Sequence, residues 1–282
     1  MNERWPVRAS DGHELEVYAE RPDGARAALL FVPAMGVEAR YYSHFAEALS
    51  RERVLFGVCD LRGHGTSSLR PSRSVDFGYR EIVERDLPAV MEVVRDQTEG
   101  LPLYVGGHSL GGQLMMLHLA ATRPDIAGMV LVACAIPYYR SWQGRSRGWI
   151  RLATVLLPAA GFILGYVPGD RLGLGGKEAR TLMRDWAHNA ATARYEPIGS
   201  DVDYEAALAT LGVDLVTINI DGDEMAPPNA VDFMFDKVPH ARGVRVEARL
   251  SKPKRGAHVR WARDSAEVVQ AISRWLEARA GA

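Results

Sequence analysis

The stretch Leu103-Tyr104-Val105-Gly106-Gly107-His108-Ser109-Leu110-Gly111-Gly112 decides how the rest of the chain is read. An apolar run enters a glycine-rich turn, and a helical stretch, residues 113–122, leaves it. Within the turn, Gly107-His108-Ser109-Leu110-Gly111 is G-x-S-x-G between a strand and a helix, the context in which this pattern presents a nucleophile. A serine on such a strained turn stands clear of the backbone. The residues two before and two after it must be small, because their backbones crowd the turn, and Gly107 and Gly111 meet that demand. The following helix aims its first N–H groups at the same point, where charge developing on a substrate oxygen is stabilised.

Outward from this turn, apolar strand-like runs alternate with amphipathic helical stretches, which predicts a mostly parallel α/β sheet. The predicted strands are residues 15–19, 27–33, 53–59, 103–106, 128–135, 215–220 and 244–250. Several are continuous Val/Ile/Leu runs, as in strands buried on both faces. Tyr42, Phe45, Ala46 and Leu49 fall at i, i+3, i+4, i+7 of one helix. Another apolar stretch runs through Ile82, Val83, Val90 and Val94, with Pro88 expected to kink it. Val269, Ile272, Ser273 and Leu276 mark a terminal helix, and Asp264 with Glu267 reads as its cap. The alternation fails once, over residues 138–211. Some 70 residues between core strands are too many for a structureless loop, so a helical insertion is expected there.

Composition narrows the classes. With 47% apolar and 24% charged residues among 282, the chain is globular rather than disordered. Its 34 basic and 35 acidic residues leave a net charge of −1, without the basic excess of a dedicated nucleic-acid binder. Cys59 and Cys134 sit in apolar runs and read as buried thiols. The N-terminus has no apolar stretch of the kind a signal peptide needs, and a cytoplasmic location is expected. Residues 152–169 carry no charge, which raises the question of a membrane span. Pro158, Gly161 and Gly165 interrupt the run, so a buried or cleft-lining helical pair is expected, with no transmembrane segment.

A serine nucleophile needs a base, and the base needs an orienting acid. In an open parallel sheet, sites gather at the carboxyl ends of the strands. Of the eight histidines, His258 satisfies that rule, lying in Lys254-Arg255-Gly256-Ala257-His258 between the last strand and the last helix. His64 and His108 lie near the right face in other roles. Asp221-Gly222-Asp223-Glu224 follows the strand at 215–220 and offers three carboxylates. Asp223 is preferred, because a glycine turns the chain before it, with Asp221 and Glu224 left as alternatives.

The order Ser109, Asp223, His258 is that of one fold, and the whole chain resembles an α/β-hydrolase-fold protein. It is most similar to bacterial α/β hydrolases related to esterases and lipases. Asp60-Leu61-Arg62-Gly63-His64-Gly65-Thr66-Ser67 and Gly222-Asp223-Glu224-Met225-Ala226-Pro227 carry the likeness further. The resemblance implies a mostly parallel central sheet flanked by helices, with a helical cap after the sixth core strand. The core would comprise residues 1–137 and 212–282, and the cap residues 138–211. Many members carry His-Gly where this chain reads Pro33-Ala34. The oxyanion hole that the resemblance implies needs backbone N–H groups alone: Leu110 as one donor, and Met35, or else Ala34, as the other. The Asp60–Ser67 segment is expected to buttress the loop rather than to act in catalysis.

The implied activity is cleavage of a carboxylic ester, thioester or lactone of an apolar small molecule through an acyl-enzyme intermediate. Acyl transfer on the same residues, or ligand binding without hydrolysis, are the alternatives, and a homodimer is left open. No metal-ligand cluster or phosphate loop is visible, so no cofactor is expected. Tyr138, Trp142, Leu156, Phe162 and Trp186 of the cap are candidate substrate-binding residues on composition alone. Two basic segments, residues 237–263 and Arg140, Arg145, Arg147 and Arg151, flank the expected site and could steer an anionic substrate.

Overall fold

The computed structural model describes residues 1–172, 175–251 and 256–280. Among the described residues, ten strands form in chain order: β1 (Glu3–Arg8), β2 (Glu14–Glu20), β3 (Ala27–Val32), β4 (Val54–Cys59), β5 (Leu103–His108), β6 (Gly128–Val132), β7 (Tyr166–Val167), β8 (Glu178–Ala179), β9 (Asp214–Ile220) and β10 (Arg242–Ala248). Eight make one sheet in the order β1-β2-β4-β3-β5-β6-β9-β10. From β4 to β10 every pairing is parallel, and β1 and β2 add an antiparallel edge.

The central parallel strands β3, β4 and β6 are apolar throughout because both faces are covered. In β3, Ala28, Leu30 and Val32 point into one apolar cluster and Ala27, Leu29 and Phe31 into the other. Helices Leu87–Gln97 and Leu110–Thr122 contribute to the first cluster, and helices Ser43–Arg51 and Ala266–Ala280 to the second. Cys59 and Cys134 are free and buried.

Several sequence expectations change here. β1 went unread because Glu3, Arg4, Pro6 and Arg8 break up its apolar character, yet Trp5 and Val7 alternate inward from an edge strand. β10 begins and ends two residues earlier than expected, its exposed residues Arg242, Gly243, Val244 and Arg245 giving little periodicity. β6 ends at Val132, and Ala133 turns away at φ 47°. Pro88 introduces no isolated kink: it occupies the first turn of helix Leu87–Gln97, directly after a π-helical stretch, Ile82–Asp86. Asp264 and Glu267 do not cap the last helix, which starts at Ala266. Their carboxylates accept from the backbone N–H of Ser251 and Arg249, both at 2.8 Å, and so anchor the segment leaving β10.

Residues 138–211 hold helices Gly144–Leu164, Arg180–Thr192 and Tyr204–Ala209, together with the two-residue antiparallel pair β7–β8. The uncharged run is neither buried nor a helical pair. Most of it lies in one helix, Gly144–Leu164, which passes through Pro158 and exposes most of its apolar side chains. The whole segment is fastened to the loop after β4. Asp76 accepts from Arg180 Nε at 2.9 Å and from the Thr181 hydroxyl at 2.7 Å. Asp185 accepts from the N–H of Tyr79 at 2.8 Å. Burial raises the Asp185 carboxyl to about 6.

Candidate active site

Ser109 sits where β5 gives way to helix Leu110–Thr122, at φ 51° and ψ −122°, a strained conformation for a residue with a side chain. The glycines around it leave no room for anything larger. A Cβ on Gly107 would lie 2.5 Å from the N of Gly112, and one on Gly111 would lie 2.3 Å from the carbonyl oxygens of Val32 and Pro33. These close approaches press the turn between β3 and the helix and leave the serine at the carboxyl end of the sheet.

His258 lies in the short helix Ala257–Arg260, entered through Gly256 at φ 83°. Its Nε2 is 2.9 Å from Ser109 Oγ, and its Nδ1 is 2.7 Å from Asp223 Oδ2. The other oxygen of Asp223 accepts from the N–H of Met225 at 2.8 Å, so the carboxylate is aimed from both sides. Asp223 and His258 are buried, and Ser109 is partly exposed. Asp221 and Glu224 are exposed, and Asp221 Oδ2 lies 4.0 Å from Arg249. The structure therefore brings Ser109, His258 and Asp223 together and leaves the two alternative acids outside. Lys254 and Arg255, which precede the histidine, lie outside the described residues.

Behind His258 stands a buried support that sequence reasoning missed. The Tyr42 phenol is 2.8 Å from His108 Nδ1 and accepts the N–H of Ala34 at 3.1 Å. The His108 ring is 4.9 Å from that of His258 and 5.2 Å from that of Trp261, which is fully buried. Burial, with the neighbouring His258, holds His108 well below the usual imidazole pKa, so it stands neutral beside His258. Only the spacing of Tyr42 along its helix hinted at burial, and nothing in the sequence paired it with His108. On the far side, Gln113 donates to the Ala135 carbonyl at 2.9 Å and accepts from the Tyr195 hydroxyl at 3.0 Å. Asp60 joins the loop after β3 to its own loop by accepting from the N–H groups of Ala39 at 2.7 Å and Thr66 at 2.9 Å.

A second Ser-His-Asp chain occurs in the molecule. His13 Nε2 is 2.8 Å from Ser67 Oγ, and His13 Nδ1 is 2.9 Å from Asp86 Oδ1. Here all three residues are buried, Arg62 forks onto the Asp86 carboxylate, and Ser67 Oγ accepts the N–H of Gly63 at 2.9 Å. That serine, unlike Ser109, is not held at positive φ, and it is buried. It fastens the β1–β2 hairpin to the loop after β4.

Of the cap candidates, Trp142 is buried with Ala226 and Ala230, and Trp186 is partly buried against the same cluster. Tyr138 packs edge-on to Tyr139 and against Phe233. Leu156 and Phe162 correct the expectation of pocket-lining residues. They are 49% and 87% exposed, on the face of helix Gly144–Leu164 opposite the buried Ile150, Leu157 and Gly161. The basic segment at 237–263 is also less available than its composition suggests. Lys237, Arg242 and Arg245 pair with Glu205, Asp214 and Asp232, while Lys252, Lys254 and Arg255 lie outside the described residues.

The profile of the family described as "Serine aminopeptidase, S33" matches residues 23–206, well over half of the chain. This chain belongs to that family of α/β hydrolases. Monoglyceride lipases of Rattus norvegicus and Homo sapiens are 30% identical to this α/β hydrolase over 125 residues, 44% of the chain and 40% of each relative. The aligned region thus spans less than half the length of the curated relatives. Likeness in structure extends over nearly the whole chain. A monoglyceride lipase variant from Saccharomyces cerevisiae superposes with a TM-score of 0.71 at 14% identity, covering 97% of this chain and 95% of that one. Est1E from Butyrivibrio proteoclasticus, solved with ferulic acid, gives 0.66 at 15% identity, covering 99% and 100%. At such identities these two structures speak for the fold.

Proposed function

We propose that this α/β hydrolase is a serine ester hydrolase acting on apolar carboxylic esters, with Ser109 as nucleophile, His258 as general base and Asp223 as the orienting acid. The observation that carries the reading is the continuous relay from Asp223 Oδ2 through His258 to a strained, partly exposed Ser109, with steps of 2.7 and 2.9 Å. His258 Nε2 takes the Ser109 proton as Oγ attacks the acyl carbon. Asp223 keeps the remaining proton on Nδ1 and stabilises the imidazolium as it forms. The same histidine returns its proton to the leaving alcohol, then activates the water that releases the acid from the acyl-enzyme.

The negative oxygen is assigned to the N–H of Leu110, first in its helix, and to that of Met35. The Ala34 N–H already serves Tyr42, which supports Met35 as the second donor. Each such donor contributes about 3 kcal/mol to the transition state. Residues 138–211 are assigned as a cap. In support, Gly175 and Gly176 lie so close over the loop after β3 and over His64 that a Cβ on Gly175 would be 2.3 Å from the Gly36 oxygen. Trp142 and Trp186 pack beside Ala226, just beyond the acid, which supports assigning them to the acyl-binding side of the site. The monoglyceride lipase relatives favour an apolar acyl ester as substrate.

A fluorophosphonate probe, followed by p-nitrophenyl esters of graded acyl length and an aminoacyl p-nitroanilide, tests the reading. Labelling at Ser109 and turnover of the esters are expected. Labelling elsewhere would overturn the nucleophile, and turnover of the anilide alone would overturn the ester assignment.

A further inference from the structure

We propose that the outward face of helix Gly144–Leu164 docks this protein onto an anionic lipid surface. The inference is independent of the ester chemistry proposed above.

The helix is apolar on its outward side as well as on its buried one. A surface helix ordinarily turns its apolar stripe inward and its charges to water. Here Ile150, Leu157 and Gly161 form the buried stripe, and the opposite side carries Trp149, Leu152, Val155, Leu156, Phe162 and Ile163, between 47% and 87% exposed. No charged residue falls between positions 152 and 169. A continuous apolar surface of this kind marks an interaction site rather than ordinary solvent exposure. Length alone would allow the helix to cross a bilayer, but its packing opposes that. The Gly161 backbone lies against Arg180, where an added Cβ would come 2.9 Å from the Arg180 Cβ, and β7, just beyond the helix, pairs with β8. One side is held by protein, so the helix can lie in an interface but not span it.

Charge selects the occupant. Arg140, Arg147 and Arg151 gather around the Tyr139 ring, with their guanidinium carbons 5.6, 5.8 and 6.0 Å from its centroid. Arg145 lies on the same helix, and residues 138–169 contain no acid. Among the described residues, none of these four arginines forms an ion pair with a carboxylate, unlike Arg242 and Arg245 on β10. Cationic side chains at one end of an apolar face, with a tryptophan between, match the headgroup region of an anionic bilayer. A second copy of the chain fits poorly. In a two-fold dimer the same face meets itself, and the arginines of both copies would converge without a compensating acid.

The test is flotation of the full chain with vesicles of phosphatidylcholine, with and without an equal part of phosphatidylglycerol. Binding is expected to the anionic vesicles, to weaken in pure phosphatidylcholine, and to fall as salt rises from about 0.1 M to about 1 M. Phe162→Glu combined with Ile163→Glu should weaken binding about tenfold or more by removing apolar area from the interface. Both sites are exposed, so circular dichroism should be unchanged. Arg147→Glu with Arg151→Glu should abolish the preference for anionic lipid. Ser109→Ala should bind like the parent protein, which separates docking from catalysis. The proposal fails if the parent does not float, or if the Phe162/Ile163 variant floats as well as the parent. It also fails if that variant only turns a dimer into a monomer in sedimentation, since the face is then a contact between copies.

Discussion

The Tyr42 phenol oxygen accepts the N–H of Ala34 at 3.1 Å, which leaves its own proton for His108 Nδ1, 2.8 Å away. One side chain thus positions both the loop proposed to hold the oxyanion and the neutral histidine beside His258. Tyr42→Phe keeps the ring in its aromatic cluster but leaves the Ala34 N–H and His108 Nδ1 without partners. It should lower kcat for a p-nitrophenyl ester about tenfold with KM little changed, since the lost order matters most when charge develops. Stability in urea should fall by about 1–3 kcal/mol. Lost stability at unchanged kcat would make the phenol a packing element only.

The two Ser-His-Asp chains invite a direct contrast. Ser109→Ala should remove fluorophosphonate labelling and reduce ester turnover by about 10⁴-fold or more, because the three groups act as a unit. Ser67→Ala should leave labelling intact and cost about 1–3 kcal/mol of stability, because it leaves buried His13 Nε2 and the Gly63 N–H without their partner. Similar geometry would then give opposite outcomes, with access and backbone strain as the difference. Mass spectrometry of the labelled peptide decides between the two serines.

Asp223→Asn should reduce kcat by about 10³- to 10⁴-fold, since an amide cannot both accept from Nδ1–H and stabilise the imidazolium. Asp221→Asn alters an exposed group 4.0 Å from Arg249 and should change turnover little. Steady-state kinetics on one ester compares the pair, and the reverse order of effects would transfer the acid to Asp221.

The turn at Ser109 was legible because its strain demands glycine at two fixed offsets, so the chemistry leaves a mark in the sequence. Asp223 and His258 were legible through chain order and the rule that sites gather at strand carboxyl ends. Tyr42, Trp261 and the strand Glu3–Arg8 were not singled out, since their roles depend on partners far along the chain. The orientation of helix Gly144–Leu164 was hidden for another reason. When both faces of a helix are apolar, periodicity has no phase, and nothing in residues 152–169 distinguishes Leu157, which is buried, from Phe162, which is not. Asp264 and Glu267 had the spacing of a cap, but the backbone of Arg249 and Ser251 claimed their carboxylates instead.

His118 makes the acid stability of the fold testable. It is buried in helix Leu110–Thr122, and its Nδ1 donates to the Val83 carbonyl at 3.1 Å, inside the π-helical stretch. Burial lowers its pKa from 6.5 to about 4, with Arg95 adding to the shift and the Val83 bond opposing it. For a base lowered in this way, the unfolded chain binds a proton below about pH 6.5 while the folded chain refuses it until about pH 4. Stability from this group is therefore complete above about pH 6.5 and is lost progressively as pH falls through that window. Between about pH 7 and about pH 5 the loss is on the order of 2 kcal/mol. His118→Asn keeps an N–H near the Nδ1 position for Val83 but cannot titrate. Its unfolding free energy in urea should fall by about 2 kcal/mol less than the parent's over the same pH interval, whatever its value near neutrality. Equal losses in the two proteins would mean that His118 takes up its proton without unfolding.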